Sequence, residues 1–198
     1  MRDQENIAQL VELKPDYIGF ILYPKSKRFL GEDYVLAADI PGSIRKVGVF
    51  VNALIRDIFR WTNPLHLDFA QLHGSEPPEY CRELQKMNIR VIKAFGIDEN
   101  FDFDILNPYQ PYCDYFLFDT KTSQHGGSGR KFNWQKLQEY TLEKPFFLSG
   151  GIGPEDAARF KTKNDLPIHA LDINSRFEDE PGLKNISLVE QFITKIRS

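Results

Sequence analysis

Three polar side chains stand at the ends of apolar runs, where residues of these types perform acid–base chemistry on anionic substrates. Asp119 ends the run "YFLFD", and a carboxyl leaving an apolar strand is partly desolvated and able to donate a proton near neutrality. Arg28 follows "YPKSK", and its guanidinium suits bidentate recognition of a carboxylate. His73 in "QLHG" holds an equivalent position. The sequence predicts Asp119 as a general acid and Arg28 as the better candidate for substrate anchoring.

Each of these residues also has a simpler interpretation. Asp119 could cap a helix or pair with Lys121. Arg28 and His73 could be surface residues without a role. The residue types alone leave these alternatives open.

The stretch "FFLSGGIGPEDAARF" predicts a strand followed directly by a helix, with Gly150 and Gly151 at the junction. Backbone N–H groups there could hold a phosphate, because glycine lets an anion approach the backbone. A plain tight turn is the alternative, with Glu155 and Asp156 compensating the helix dipole themselves. The position in the penultimate strand–helix unit, where barrels commonly bind phosphate, favours the phosphate site.

A second glycine cluster lies in "TSQHGGSGRKFNW", before a predicted helix. It lacks the spacing of a Walker phosphate loop. The cluster instead predicts a mobile flap that closes over substrate and excludes water, with Lys121, Arg130 and Lys131 available to meet an anion. A solvent-exposed flexible linker is the alternative. The flap residues are Gly126, Gly127, Ser128 and Gly129.

Short apolar runs alternate with segments of helical period along the chain, and this pattern predicts an α/β fold with a parallel sheet. The predicted strands are 16–23, 45–52, 68–73, 89–95, 114–119, 144–150 and 169–174. The predicted helices are one near the start, begun by Asp3, and 32–39, 53–62, 77–87, 99–107, 133–140, 154–163 and 187–197. The count is therefore seven strands and eight helices.

Polar residues gather where the predicted strands end, which favours a (βα)8 barrel over a doubly wound open sheet. Asn52, His73, Lys93 and Asp119 each lie at or near such an end, and Asn174, Ser175 and Arg176 follow the last strand. A closed barrel needs an eighth strand. Residues 1–198 are expected to form one domain of this barrel type.

Composition limits the partners of the chain. Its net charge of -3 gives no general attraction to nucleic acid or anionic membranes. No signal pattern or membrane-spanning run is visible, so the protein is expected to be cytoplasmic. Cys81 and Cys113 stand apart without metal-ligand spacing and are expected to be reduced thiols in packed elements.

Nine ordered blocks of the sequence together resemble the phosphoribosylanthranilate isomerase family, and they run over nearly the whole chain. The blocks are "MRDQENI", "DYIGFILYPKSKR", "RKVGVFVN", "QLHG", "IKAF", "LFDTK", "GGSGRKFNW", "FFLSGGIGPED" and "LDINSRFEDEPGLK". The resemblance implies a (βα)8 barrel that uses no cofactor and no metal. It also implies an Amadori rearrangement of N-(5'-phosphoribosyl)anthranilate to the carboxyphenylamino-deoxyribulose phosphate.

The resemblance assigns roles to the residues already singled out. Asp119 becomes the acid, and Arg28 holds the anthranilate carboxylate. His73 lines the site. The phosphate is held by Gly150 and Gly151 together with the backbone around Asn174 and Ser175.

One part of the family pattern is not found. The family's base is a cysteine ending the first strand in Cys-Gly-Met-Arg, and Met1-Arg2 matches only the last two residues of that motif. We therefore expect a barrel lacking its first strand, with a gap between the strands at 16–23 and 169–174, and little or no activity. A start placed one motif too late, or a trimmed sequence, is the expected origin.

Two other functions remain possible from the sequence. One is a catalytically silent barrel that only binds phosphorylated ligands, and the other is a related barrel enzyme such as indole-glycerol-phosphate synthase. The unpaired strand edges also allow a homo-oligomer through the open side of the barrel.

Overall fold

The computed structural model describes residues 1–121, 131–160 and 165–198. All seven predicted strands are present, and they form one parallel sheet whose spatial order follows the chain from β1 to β7. The strands are β1 (Tyr17–Ile21), β2 (Arg45–Phe50), β3 (Phe69–Leu72), β4 (Val91–Ile97), β5 (Tyr115–Thr120), β6 (Phe146–Leu148) and β7 (Ile168–Leu171). The sheet is curled into a partial barrel and confirms the α/β class.

Helices follow most of the strands and cover the outer face of the sheet. The α-helices are α1 (Gln4–Glu12), α2 (Ile55–Thr62), α3 (Pro78–Lys86), α4 (Ala157–Phe160) and α5 (Ile186–Arg197). Asp3 caps α1 as predicted, because its side chain accepts a hydrogen bond from Asn6 N. The buried face of α1 includes Ile7, Leu10 and Val11.

Several predicted helices differ in type. Those at 99–107 and 133–140 are 3₁₀ helices, at Phe103–Tyr112 and Trp134–Glu139. Pro108 and Pro111 lie inside the first of these and lack the N–H that an α-helix needs. The segment at 154–163 begins as a 3₁₀ turn at Pro154–Asp156 before α4, and residues 161–164 lie outside the described part of the chain.

The predicted helix at 32–39 is wrong, so seven of the eight predicted helical segments are helical within the described residues. The side chain of Gln4 accounts for the difference. Its amide donates to Val35 O and accepts from Ala37 N and Ala38 N. These are backbone groups that a helix would pair internally, so their contacts with α1 hold the segment in a non-helical form.

A short hairpin that the sequence did not predict lies between β7 and α5. A 3₁₀ turn at Ser175–Phe177 leads into β8 (Glu178–Glu180) and β9 (Leu183–Lys184), which pair antiparallel. Gly182 turns the chain between them at a φ of 94°, which favours glycine. The hairpin is held to α1 because Asn6 exchanges two hydrogen bonds with the backbone of Lys184.

Strands β1 and β7 are the two edges of the sheet and do not pair with each other. The gap predicted between these two strands is therefore present. Side chains nevertheless bridge it at the amino-terminal end of the strands, where Tyr17 Oη lies 2.6 Å from His169 Nε2. Tyr17 and His169 belong to a closed ring of four side chains, the other two being Phe69 and Tyr115, with neighbouring centroids 4.3–6.1 Å apart.

Lys93 does not lie at the rim as the sequence suggested. It is in the middle of β4 and its ammonium is buried in an ion pair, with Nζ 3.1 Å from Glu76 Oε2. The same ammonium donates to Leu72 O and Gly74 O. Glu76 accepts in turn from the N–H groups of Asn52 and Gly74. The pair therefore fixes the loops that follow β2 and β3, which lead into the rim.

Breaking this pair from one side is expected to lower the free energy of unfolding by about 3–5 kcal/mol, because it leaves Glu76 buried and uncompensated. The variant Lys93→Met tests this by urea denaturation. Lys86→Met removes an exposed pair with Glu83 and should change the free energy by no more than about 0.5 kcal/mol. The double variant Lys93→Met/Glu76→Gln should be more stable than Lys93→Met alone. Equal stability of Lys93→Met and Lys86→Met would contradict the interpretation.

Candidate functional site

A cavity of about 720 Å³ lies at the carboxyl ends of the strands and continues along the gap between β1 and β7. All seven described residues that the sequence singled out for catalysis or binding line it. They are Arg28, His73, Asp119, Gly150, Gly151, Asn174 and Ser175. The predicted flap residues Gly126, Gly127, Ser128 and Gly129 lie outside the described residues. The structure therefore brings the described candidates to one place.

Asp119 ends the buried part of β5 and is only 7% exposed. Its Oδ1 accepts from Thr120 N at 2.7 Å, and its Oδ2 lies 3.3 Å from His73 Nε2. Lys121 pairs with Asp98 instead, at 2.6 Å. The alternative in which Asp119 serves as a partner of Lys121 is therefore wrong.

His73 is oriented by Gln71, a residue that the sequence analysis missed. Gln71 Nε2 lies 3.0 Å from His73 Nδ1. When this amide donates to Nδ1, the imidazole carries its hydrogen on Nε2 and directs it at Asp119. Alternation along β3 is the signal that could have found Gln71, because residues two apart on a strand share a face.

A second carboxyl, Asp172, lines the same cavity directly after β7. Ser149 Oγ donates to its Oδ2 at 3.1 Å. Burial raises the pKa of Asp172 above its ordinary value, and the negative charge of Asp119 raises it further. The cavity thus contains two carboxyls that interact electrostatically, one of which retains its proton to higher pH.

Arg28 forms a bidentate ion pair with Glu178 of the unpredicted hairpin. Its Nε and Nη2 donate to the carboxylate at 2.8 and 2.6 Å. Burial alone would raise the pKa of Glu178, but the hydrogen bond from Arg28 and the charge of Lys184 outweigh it and lower the pKa. Within the described residues Nη1 has no hydrogen-bond partner, so one edge of the guanidinium remains available to an anion.

Gly150 and Gly151 occupy left-handed backbone conformations, at φ of 91° and 68°. A Cβ at Gly150 would lie 2.5 Å from Thr120 Oγ1, so only glycine fits there. The N–H groups of Gly151 and Ser175 donate to no other described residue, and both residues line the cavity. Two backbone donors are therefore available to an anion at this end of the cavity.

The acidic residues after the glycines have partners of their own. Asp156 accepts from Gly153 N at 2.7 Å, as the tight-turn alternative requires. Lys131 was expected to meet an anion, but its ammonium binds Glu155 and Asp156. Arg176 also pairs with Glu155, at 2.6 Å. These acids therefore belong to the turn, and no described residue occupies the amides of Gly151 and Ser175.

No thiol of the described residues lines this cavity. Cys81 and Cys113 are buried free thiols, packed in the outer layer at α3 and just before β5. The neighbouring Cys81 thiol, together with burial, raises the pKa of Cys113. Neither cysteine is placed to act on a ligand in the cavity.

Among the described residues, no helix combines the length and the apolar character that crossing a membrane requires.

Comparisons with known proteins give one consistent family. The family model described as N-(5'-phosphoribosyl)anthranilate (PRA) isomerase matches residues 1–195. A relative from Parabacteroides distasonis, named N-(5'-phosphoribosyl)anthranilate isomerase, is 43% identical over 99% of this chain and 90% of its own length.

Solved structures agree. The crystal structure of phosphoribosyl anthranilate isomerase from Thermotoga maritima superposes with a TM-score of 0.86 at 32% identity, covering 100% of this chain and 95% of that one. A phosphoribosyl anthranilate isomerase in complex with reduced 1-(o-carboxyphenylamino)-1-deoxyribulose 5-phosphate gives a TM-score of 0.83 at 29% identity and the same coverage.

The raised pKa of Asp172 predicts a pH dependence of stability. Because the folded state holds this proton where the unfolded chain has released it, the contribution of Asp172 to wild-type stability falls as pH rises from 3.8 through its folded-state pKa. Asp172→Asn should remove this loss, so the variant gains stability over wild type as pH rises. Urea denaturation from about pH 4 to about pH 8 measures the difference. A difference that stays constant with pH would show that folding does not raise the pKa of Asp172.

Proposed function

We propose that this chain, which belongs to the N-(5'-phosphoribosyl)anthranilate isomerase family, uses the cavity residues described above for that isomerisation. The activity is a step of tryptophan biosynthesis. It converts N-(5'-phosphoribosyl)anthranilate to 1-(2-carboxyphenylamino)-1-deoxyribulose 5-phosphate. The family match favours this activity over the indole-glycerol-phosphate synthase alternative.

The rearrangement needs one acid and one base. Protonation of the ribose ring oxygen opens the ring as C1' forms a Schiff base with the anthranilate nitrogen. Removal of the proton on C2' then gives the enolamine, which tautomerises to the ketose. The atoms balance without an oxidant or a second substrate, because substrate and product are isomers: the ring oxygen and C1' each gain a proton, and C2' and the enol hydroxyl each lose one.

Asp119 is the proposed acid. The observation that carries this role is its place in the cavity, 3.3 Å from the His73 imidazole. His73 Nε2 orients the carboxyl, and Gln71 fixes His73. A positioned carboxyl at the mouth of a curled parallel sheet meets the geometric requirement for a general acid.

The substrate's two anionic groups fit the two ends of the cavity. Arg28 would take the anthranilate carboxylate on the guanidinium edge that Glu178 leaves available. The amides near Gly151 and Ser175, with Gly150 and Asn174 shaping the turns, would hold the phosphate. The ribose would then lie between these ends, beside Asp119.

We further propose that an eighth strand fits the gap between β7 and β1 and completes a (βα)8 barrel of one domain. In such barrels, four side chains from alternate strands form each interior layer. Tyr17, Phe69, Tyr115 and His169 make one complete layer from β1, β3, β5 and β7. The next layer contains Val47, Ile92 and Phe147 from β2, β4 and β6, and its fourth member would come from the gap.

The base is proposed to be a cysteine at the carboxyl end of that strand. The α-ammonium of Met1 donates to Gly19 O of β1 at 3.2 Å, where a peptide N–H of a neighbouring parallel strand would donate. A segment joined ahead of Met1 would therefore enter the gap and end at the cavity. Without it, the 198-residue chain is expected to bind phosphorylated ligands but to turn over little or no substrate. Cytoplasmic location and association of two copies through the open edges stay predictions.

A short apolar strand that ends in Cys-Gly, supplied ahead of Met1, should raise turnover by about 100- to 10,000-fold. This is the rate that is usually lost when a general base is missing. Turnover is followed as loss of the substrate's anthranilate fluorescence. The matched control ends in Ser-Gly, which fills the gap without a thiol. It should gain stability equally but remain nearly inactive. If the chain beginning at Met1 is as fast as the Cys-Gly form, the base lies elsewhere.

In the strand-completed chain, Asp119→Asn should reduce kcat by about 100- to 10,000-fold with a smaller effect on KM, because an amide cannot deliver the proton. Asp98→Asn is the control, since that carboxylate pairs with Lys121 outside the cavity. It should leave both constants nearly unchanged. Full activity of Asp119→Asn would remove Asp119 from the mechanism while leaving the family assignment intact.

A further inference from the structure

Lys184 is a buried lysine that lines the cavity and has no part in the proposed chemistry. Its Nζ donates to the side-chain oxygen of Asn174 at 2.8 Å and to Asn174 O at 3.1 Å. It also lies 3.3 Å from Glu178 Oε1. Burial lowers the pKa of Lys184, but the charges of Glu178 and Asp172 oppose that shift. Its neighbours are all hydrogen-bond acceptors, and only the ammonium form has three donors to satisfy them.

These contacts form a continuous path between the two ends of the cavity. Asn174 precedes Ser175, whose N–H is available to an anion. Lys184 donates hydrogen bonds to both Asn174 and Glu178. Glu178 in turn accepts hydrogen bonds from Nε and Nη2 of Arg28. The links from Asn174 through Lys184 and Glu178 to Arg28 are charge-assisted hydrogen bonds between groups that are at least partly buried, where such bonds are strongest.

The charges in the path also favour anion binding. Arg28 and Glu178 alone form a neutral pair, which has little attraction for a carboxylate. Lys184 adds one positive charge and brings the three groups to a net charge of +1, as their formal charges give. Partial burial reduces screening by water, so this excess charge acts on a ligand in the cavity.

We propose that Lys184, acting through Glu178, is a positioning residue that couples the Asn174–Ser175 turn to Arg28, so that an anion at one end strengthens binding at the other. This inference rests on the proposed function, in which those ends hold the phosphate and the anthranilate carboxylate. An anion on the Ser175 amide fixes the turn and hence Asn174. Lys184 and Glu178 are then held in place, so Arg28 loses less freedom when the carboxylate arrives.

Holding the hairpin in place does not require the ammonium. The backbone N–H and C=O of Lys184 are both bound by Asn6, at 2.8 and 2.9 Å. These two bonds attach the hairpin to α1 whatever side chain residue 184 carries. A variant that loses only the ammonium therefore keeps the hairpin while breaking the path.

The test measures the dissociation constant of anthranilate, by its fluorescence, with and without saturating inorganic phosphate. In the wild-type chain phosphate should tighten anthranilate binding at least about 5-fold, the lower end of ordinary coupling between sites. Lys184→Met should bind anthranilate more weakly and show a ratio near 1. Lys195→Met, a change at an exposed lysine of α5, should keep the wild-type ratio.

Glu178→Met breaks the same path without removing Lys184, and it keeps the proposal testable if Lys184→Met fails to fold. Its ratio should also fall to about 1, while its affinity for anthranilate alone should rise because Arg28 is no longer neutralised. The proposal is overturned if the coupling persists in either variant, or if anthranilate and phosphate bind to wild type independently of each other. Neither result affects the proposed function. Failure of wild type to bind anthranilate at all overturns the coupling together with the proposed role of Arg28.

Discussion

The contact between Tyr17 and His169 bridges the gap between β1 and β7 at the amino-terminal end of the strands, and the geometry of the cavity depends on it. A sheet of seven parallel strands has two edges, and nothing in its backbone pairing forces them together. The 2.6 Å contact and the ring completed by Phe69 and Tyr115 bring β1 and β7 close at their amino-terminal ends. The carboxyl ends then surround one cavity, so Arg28 after β1 and Ser175 after β7 face the same space.

Buried charge in this protein is compensated locally, and the compensation determines what the cavity can bind. Lys93 and Glu76 neutralise each other behind the rim, so the pair has no net charge that would attract a ligand. Its role is to hold the loops that follow β2 and β3. Around Arg28 the balance differs, because Glu178 faces two cations, Arg28 and Lys184. Isolated buried ions are costly, so a single excess positive charge is kept where an anionic substrate would complete the balance.

The sequence predicted the strands and the rim well because both follow from local pattern. Apolar runs of strand length locate β1 to β7, and the residues that end them meet at one edge by parallel geometry. The errors arise where distant contacts override local preference. The side chain of Gln4 binds the backbone of the segment at 32–39, whose sequence has helical period. The sequence places Lys93 at the rim, but its side chain points outward and pairs with Glu76. Glu178 and Lys184 had no recognisable signal, since an acid and a lysine in a polar loop resemble surface residues.

The order of the strands also bears on where the base should act. Counting round the curled sheet, the gap lies next to β1 and β7, three strands away from β5 on its nearer side. Arg28 follows β1 and Ser175 follows β7, so both residues flank the gap. Asp119 of β5 reaches the cavity from across the gap. A substrate stretched between Arg28 and Ser175 would present its central ribose carbons to the gap on one side and to Asp119 on the other. A base supplied from the gap would thus meet C2' from a different side of the cavity than the proposed acid, which lets the two proton transfers proceed without competing for one position.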